Sequence, residues 1–207
     1  MDKRPPTTYI DYLRAAEVHI AACKELRRRL RVRHDLYRNL TDRNKVKQEI
    51  YYLSGYVIEC MVCYAVGDVL DRLNPDENVH QENILSIDKI LNTPKGKKPI
   101  TFNPLFKEAE HKITNKLKFI KEYRQNNRRS DIPILDNSNL HKDDGLNRTF
   151  KFLHERWLPH VRYKLSDEVK KILYDNDDLL YNYIEFMIEF ANKIRREFNF
   201  RTKKRRK

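Results

Sequence analysis

The chain gathers its arginines into blocks. Arg27, Arg28, Arg29, Arg31 and Arg33 crowd five guanidinium groups into seven residues. Arg201-Thr202-Lys203-Lys204-Arg205-Arg206-Lys207 carries six positive charges and no negative one. Cations at that density neutralise phosphates and release their counterions, the sequence-independent part of nucleic-acid binding. Each block also has a plainer reading. Cations near a helix C-terminus favour its dipole, so part of the first block serves as a cap on a solvated face. The second block reads equally as a solvated tail, or in a eukaryote as a nuclear address. Over the whole chain, 43 Lys and Arg stand against 30 Asp and Glu, and the formal net charge of +13 favours a polyanionic partner.

A second chemical feature is a carboxylate in an apolar setting. Gln48 to Asp71, QEIYYLSGYVIECMVCYAVGDVLD, is the longest apolar run in the chain. Ile50, Leu53, Val57, Cys60, Met61, Tyr64 and Val69 recur at a helical period, and the run is apolar nearly all round, which predicts a helix buried on several sides. Ser54, Gly55, Ala65 and Gly67 leave room for another helix to approach. Glu59 sits in the middle. A buried carboxylate is costly without a partner, so Glu59 is expected at a groove, protonated, or paired with a cation from another helix.

Other chemistries find little support. Cys60 and Cys63 form a Cys-x-x-Cys pair mid-helix, with no second pair of ligands nearby, and together with Cys23 they read as core packing. No His-x-x-x-His, paired cysteine sets or acidic ladder suggests a metal. Asp175-Asn176-Asp177-Asp178 reads as a helix N-terminus. The four glycines are isolated, so no phosphate-cradling glycine loop exists. Neither a metal nor a cofactor is expected. His111, His154 and His160 are candidates for a groove beside Glu59, although a lone helical histidine more often sits at a surface or core edge.

The elements that must position these residues are helices. Few glycines and 35% charged residues argue against a β-sandwich. A first helix runs from a cap at Thr7 or Thr8 to about Arg33, with an apolar stripe of Tyr9, Leu13, Ala16, Ile20, Cys23, Leu26 and Leu30. Thr41 or Asp42 caps the apolar helix, and Asn74-Pro75-Asp76 ends its region. Residues 76–104 are mostly loop, with a short helix at 82–91. A third helix over 105–125 places Phe106, Ala109, Ile113, Leu117 and Ile120 on one side and Lys107, Lys112, Lys116, Lys118, Lys121 and Arg124 on a basic outer surface. Residues 126–145 read as loop. A helix from Leu146 to about Trp157 turns Phe150, Leu153 and Trp157 inward. Ser166 caps a short helix over 167–174. The last helix opens at Asn176 or Asp177 and runs to Phe200, burying Leu180, Tyr183, Ile184, Met187, Ile188, Ala191, Ile194 and Phe198.

The sum is an all-α, up-and-down helical bundle with loop insertions. It reads as a single domain over 1–200, followed by the basic tail 201–207. The N-terminus carries no signal-peptide pattern, and no apolar run is judged long enough to span a bilayer. The expected location is cytoplasmic, with no membrane partner.

Four segments in order resemble the HEPN superfamily: Tyr51-Tyr52-Leu53-Ser54-Gly55-Tyr56-Val57-Ile58-Glu59-Cys60, then His111-Lys112-Ile113 continuing through Leu117, then Arg156-Trp157-Leu158-Pro159-His160-Val161-Arg162-Tyr163, and the closing amphipathic helix. The resemblance covers roughly 9–198. It implies a HEPN-like bundle acting as a homodimer on RNA or a nucleotide, with a cognate antitoxin or other protein as a further partner. Active members pair an Arg with a His across four to six intervening residues, the His moving the proton and the Arg stabilising charge as a 2′-hydroxyl attacks. Arg14 with His19, Arg29 with His34, and Arg148 with His154 match that spacing here. Arg148 and His154 lie nearest the expected position and are the catalytic candidates. They lack the family's Asn, Asp or His straight after the Arg, where Thr149 stands, and on a regular helix their six-residue step separates the side chains. Arg162-Tyr163, where the likeness is strongest, has no His downstream. The first expectation is therefore an RNA- or nucleotide-binding module without the nuclease pair, using Glu59, Arg162, Tyr163, His111, the Arg27–Arg33 block and the tail cations Lys203, Lys204, Arg205 and Arg206. An ion pair between Arg162 and Glu59 is expected within it. The alternative is a metal-independent ribonuclease of a defence or toxin–antitoxin system.

Overall fold

A computed structural model describes residues 9–32, 40–73, 116–117, 120, 153, 156–157 and 164–198. Among these, four helices and no strand make an all-α bundle. They are α1 (Tyr9–Val32), α2 (Leu40–Leu73), α3 (Asp167–Asp175) and α4 (Asp177–Phe198). Lys116, Leu117, Ile120 and Leu153 are helical as well.

Local sequence accounts for the helix starts. The Ser166 hydroxyl accepts from Val169 N at 3.4 Å and caps α3, while Asp167 and Glu168 place negative charge in its first turn. The Asn176 side chain accepts from Leu179 N at 2.9 Å and opens α4. Helix α2 begins earlier than its cap candidates suggest: Thr41 and Asp42 lie inside its first turn.

The chain divides into two compact units. One comprises Ala15–Ile58 and Asn137–Asn192. Its core draws Ala16, Cys23 and Leu30 from α1, Ile50, Tyr51 and Val57 from α2, and Leu180, Tyr183, Ile184 and Met187 from α4, all buried. The start of α2 is tied to the α3–α4 junction by charge. Lys47, whose side chain is 3% exposed, pairs with Asp177 at 2.6 Å and donates to the Tyr174 carbonyl at 2.6 Å. Arg43 pairs with the other oxygen of Asp177.

The other unit comprises Met1–Arg14, Glu59–Asp136 and Lys193–Lys207. In it the Tyr9 ring stacks on Tyr64 at 5.9 Å, and the Tyr64 hydroxyl donates to the Phe198 carbonyl at 3.3 Å. Val62, Val66, Val69, Ile120 and Ile194 are buried.

Three expectations need correction. Lys116 does not lie on a basic outer surface. It is 1% exposed, one turn from buried Ile120, with Nζ 3.3 Å from the Cys63 sulfur. The helix ending near Trp157 stops sooner, since Arg156 is in a turn and Trp157 is non-helical. Finally, Leu40–Val69 is long and apolar enough to cross a bilayer by length and composition, with a mean hydropathy of 1.3 over its most apolar window. That window is 83% buried inside the protein, which fits the core helix of a soluble protein.

Candidate nucleic-acid interface

Arg27, Arg28, Arg29 and Arg31 fall on the last turns of α1, where cations oppose the negative end of the helix dipole. Their side chains do not radiate freely. The Arg28 guanidinium grips Glu25 with two hydrogen bonds of 2.9 Å, and Arg29 reaches the same carboxylate at 2.9 Å. These bonds hold the Glu25 carboxyl down at about 2. Arg27 pairs with Glu185 of α4, and its side chain is 17% exposed. Two guanidinium carbons lie over the ring of Tyr181, Arg27 at 5.3 Å and Arg31 at 4.7 Å. Cation–π attraction at those distances fixes planar guanidinium groups that water would otherwise leave loose.

Lys24, Arg27, Arg28 and Arg31 line one open cleft of about 400 Å³ with Glu185 and Ile188. Four cations thus face one carboxylate in the lining, with Glu25 drawn in beside Arg28. That is an excess of positive charge on partly preorganised donors, suited to phosphate oxygens. The block was visible in the sequence. Its α4 partners were not, because Tyr181 and Glu185 share a face one turn apart but nothing local says which helix they meet.

A separate cluster forms around Trp157. The indole is 2% exposed, and its Nε1 donates to the Tyr52 carbonyl at 3.0 Å. Its ring meets Tyr56 edge-on at 4.9 Å, and Tyr56 meets Tyr52 in the same manner at 4.9 Å. Gly55 makes the approach possible, since a Cβ there would overlap the indole. Nearby, the Tyr51 hydroxyl donates to the Leu153 carbonyl at 2.5 Å, and burial pushes that phenol up.

The remaining candidates are distributed as follows. Glu59 is buried at 8% exposure. Lys116 and Glu59 both act electrostatically on Cys60 and Cys63, in opposite senses, so a buried cation does share the neighbourhood of Glu59. Burial dominates at both thiols and pushes Cys60 up to about 12. Cys23 rises to about 11 for the same reason. Arg14 is exposed and pairs with Asp11 at 3.1 Å. His19 packs its ring 5.7 Å from Tyr56, and burial lowers its pKa. Arg33, His34, His111, Arg148, His154, His160, Arg162, Tyr163, Lys203, Lys204, Arg205 and Arg206 lie outside the described residues, as does the Arg162 half of the expected Glu59 ion pair. Among the described residues, no group of three or more His, Cys, Asp or Glu is placed to hold a metal ion.

No protein-family model, no curated protein and no solved structure matches this chain.

Proposed function

We propose that the chain is a cytoplasmic, HEPN-like RNA-binding module that works as a homodimer and engages RNA through the arginine end of α1, without cleaving it. The observation that carries this reading is the cleft in which Lys24, Arg27, Arg28 and Arg31 converge, two of the arginines held on the Tyr181 ring. An arginine block that merely capped α1 would need no aromatic platform on a second helix. The net charge of +13 supplies a long-range field in the same sense.

The test is incubation of the full chain with labelled RNA in EDTA, followed on native and denaturing gels. The expected result is intact RNA, retarded at low salt and released as salt rises. Absence of a shift at low salt contradicts the reading. Cleavage that His154→Ala abolishes replaces it with the ribonuclease alternative.

A further inference from the structure

The cleft contains its own anion. Glu185 pairs with Arg27, yet its side chain is 58% exposed while that of Arg27 is 17% exposed. The two partners are therefore held unequally. Arg27 is fixed by the Tyr181 ring as well as by Glu185, whereas solvent screens the carboxylate and leaves it room to swing away. Glu25 pairs with Arg28 and is shared with Arg29.

We infer that Lys24, Arg27, Arg28 and Arg31 form a discrete subsite for one terminal phosphate of a nucleotide or RNA end, in which Glu185 is the resident counterion that the phosphate displaces. This rests on the RNA-binding reading above and narrows it. Charge and donor number favour a terminal phosphate over an internal one. Once Glu185 is displaced, four cations face the carboxylate of Glu25 alone, and that excess favours a phosphomonoester near its dianionic state over a singly charged diester. A monoester also presents three free oxygens to the guanidinium forks, where a diester presents two. Tyr181 is a positioning residue here: it keeps Arg27 and Arg31 in place once Glu185 has left.

The experiment compares two single-stranded RNAs of one sequence, one with a 5′-phosphate and one with a 5′-hydroxyl, by fluorescence anisotropy with the full chain. Wild type is expected to prefer the phosphorylated end by about tenfold, the factor that one charge-assisted hydrogen bond supplies. Glu185→Gln, an exposed and nearly isosteric change, should widen that preference. Arg27→Gln with Arg31→Gln should erase it, with both RNAs bound equally and more weakly than by wild type. Competition by 5′-AMP separates the two sources: displacement of the phosphorylated RNA extends the subsite to free nucleotides, and no displacement confines it to RNA ends. Equal affinity for the two RNAs in both wild type and Glu185→Gln overturns the subsite and leaves the RNA-binding reading standing. Failure to bind either RNA overturns both.

Discussion

Gly55 is the residue on which packing around Trp157 turns. The indole lies against the backbone of α2, held by its hydrogen bond to the Tyr52 carbonyl, and a methyl group at position 55 would overlap it. Gly55→Ala should therefore destabilise by overpacking, by roughly 1–3 kcal/mol, despite the better helix propensity of alanine. Urea unfolding of the variant checks this, and an unchanged midpoint would mean that the indole sits elsewhere. The thiols make a second prediction at this scale. Cys23, Cys60 and Cys63 are buried, and burial raises each pKa, to about 11 for Cys23 and about 12 for Cys60. An acid whose pKa is raised stays protonated at pH 8, and the thiolate is the reactive form. Ellman's reagent at pH 8 should find the folded protein unreactive, and all three thiols should appear together on denaturation. Rapid labelling of the native state would contradict the burial of these thiols in α1 and α2.

Among the elements, the start of α2 depends on one carboxylate. Asp177 answers both Arg43 and Lys47, and Lys47 is 3% exposed. Removing Asp177 leaves a buried ammonium still bonded to the Tyr174 carbonyl but without its counter-charge at 2.6 Å. Asp177→Ala should cost roughly 2–3 kcal/mol, somewhat less than a fully buried pair because Asp177 itself keeps some exposure. Asp11→Ala, which breaks the exposed pair with Arg14, should stay within about 0.5 kcal/mol. Thermal unfolding of the two variants side by side gives the comparison, and equal losses would deny the buried pair its role. Asn176→Ala should cost about 1 kcal/mol through the lost cap.

These elements also show what a sequence discloses. The caps at Ser166 and Asn176, the stripe of α1 and the buried face of α4 were legible, because capping and amphipathic period are local properties. Lys116 was misplaced by its residue type: it stands three residues after Ile113 and four before Ile120, the spacing of the apolar side, but a lysine there reads as surface until Cys63 is seen beside it. Buried Lys47 was likewise not anticipated, since its partners Asp177 and Tyr174 lie far along the chain at the α3–α4 junction. The arginine block announced itself, but Tyr181 and Glu185 became part of a site only when α4 was seen beside α1 within the same unit.

At the scale of the whole molecule, the proposed binding joins a long-range field to local contacts. A net charge of +13 attracts any polyanion, and the α1 cleft converts part of that field into held guanidinium groups. Field and contact differ in how they respond to salt and to substitution. A diffuse field is insensitive to two neutralised side chains, whereas direct phosphate contacts vanish with the groups that make them. The most direct measurement is the dependence of RNA affinity on potassium chloride for wild type and for Arg27→Gln with Arg31→Gln. The account predicts weaker binding by the variant and a log–log slope shallower by about 1–2, one phosphate contact being worth roughly 0.7 in slope for a single strand. Identical affinity and identical slope would contradict it and leave the arginine end of α1 as a helix cap with no part in binding.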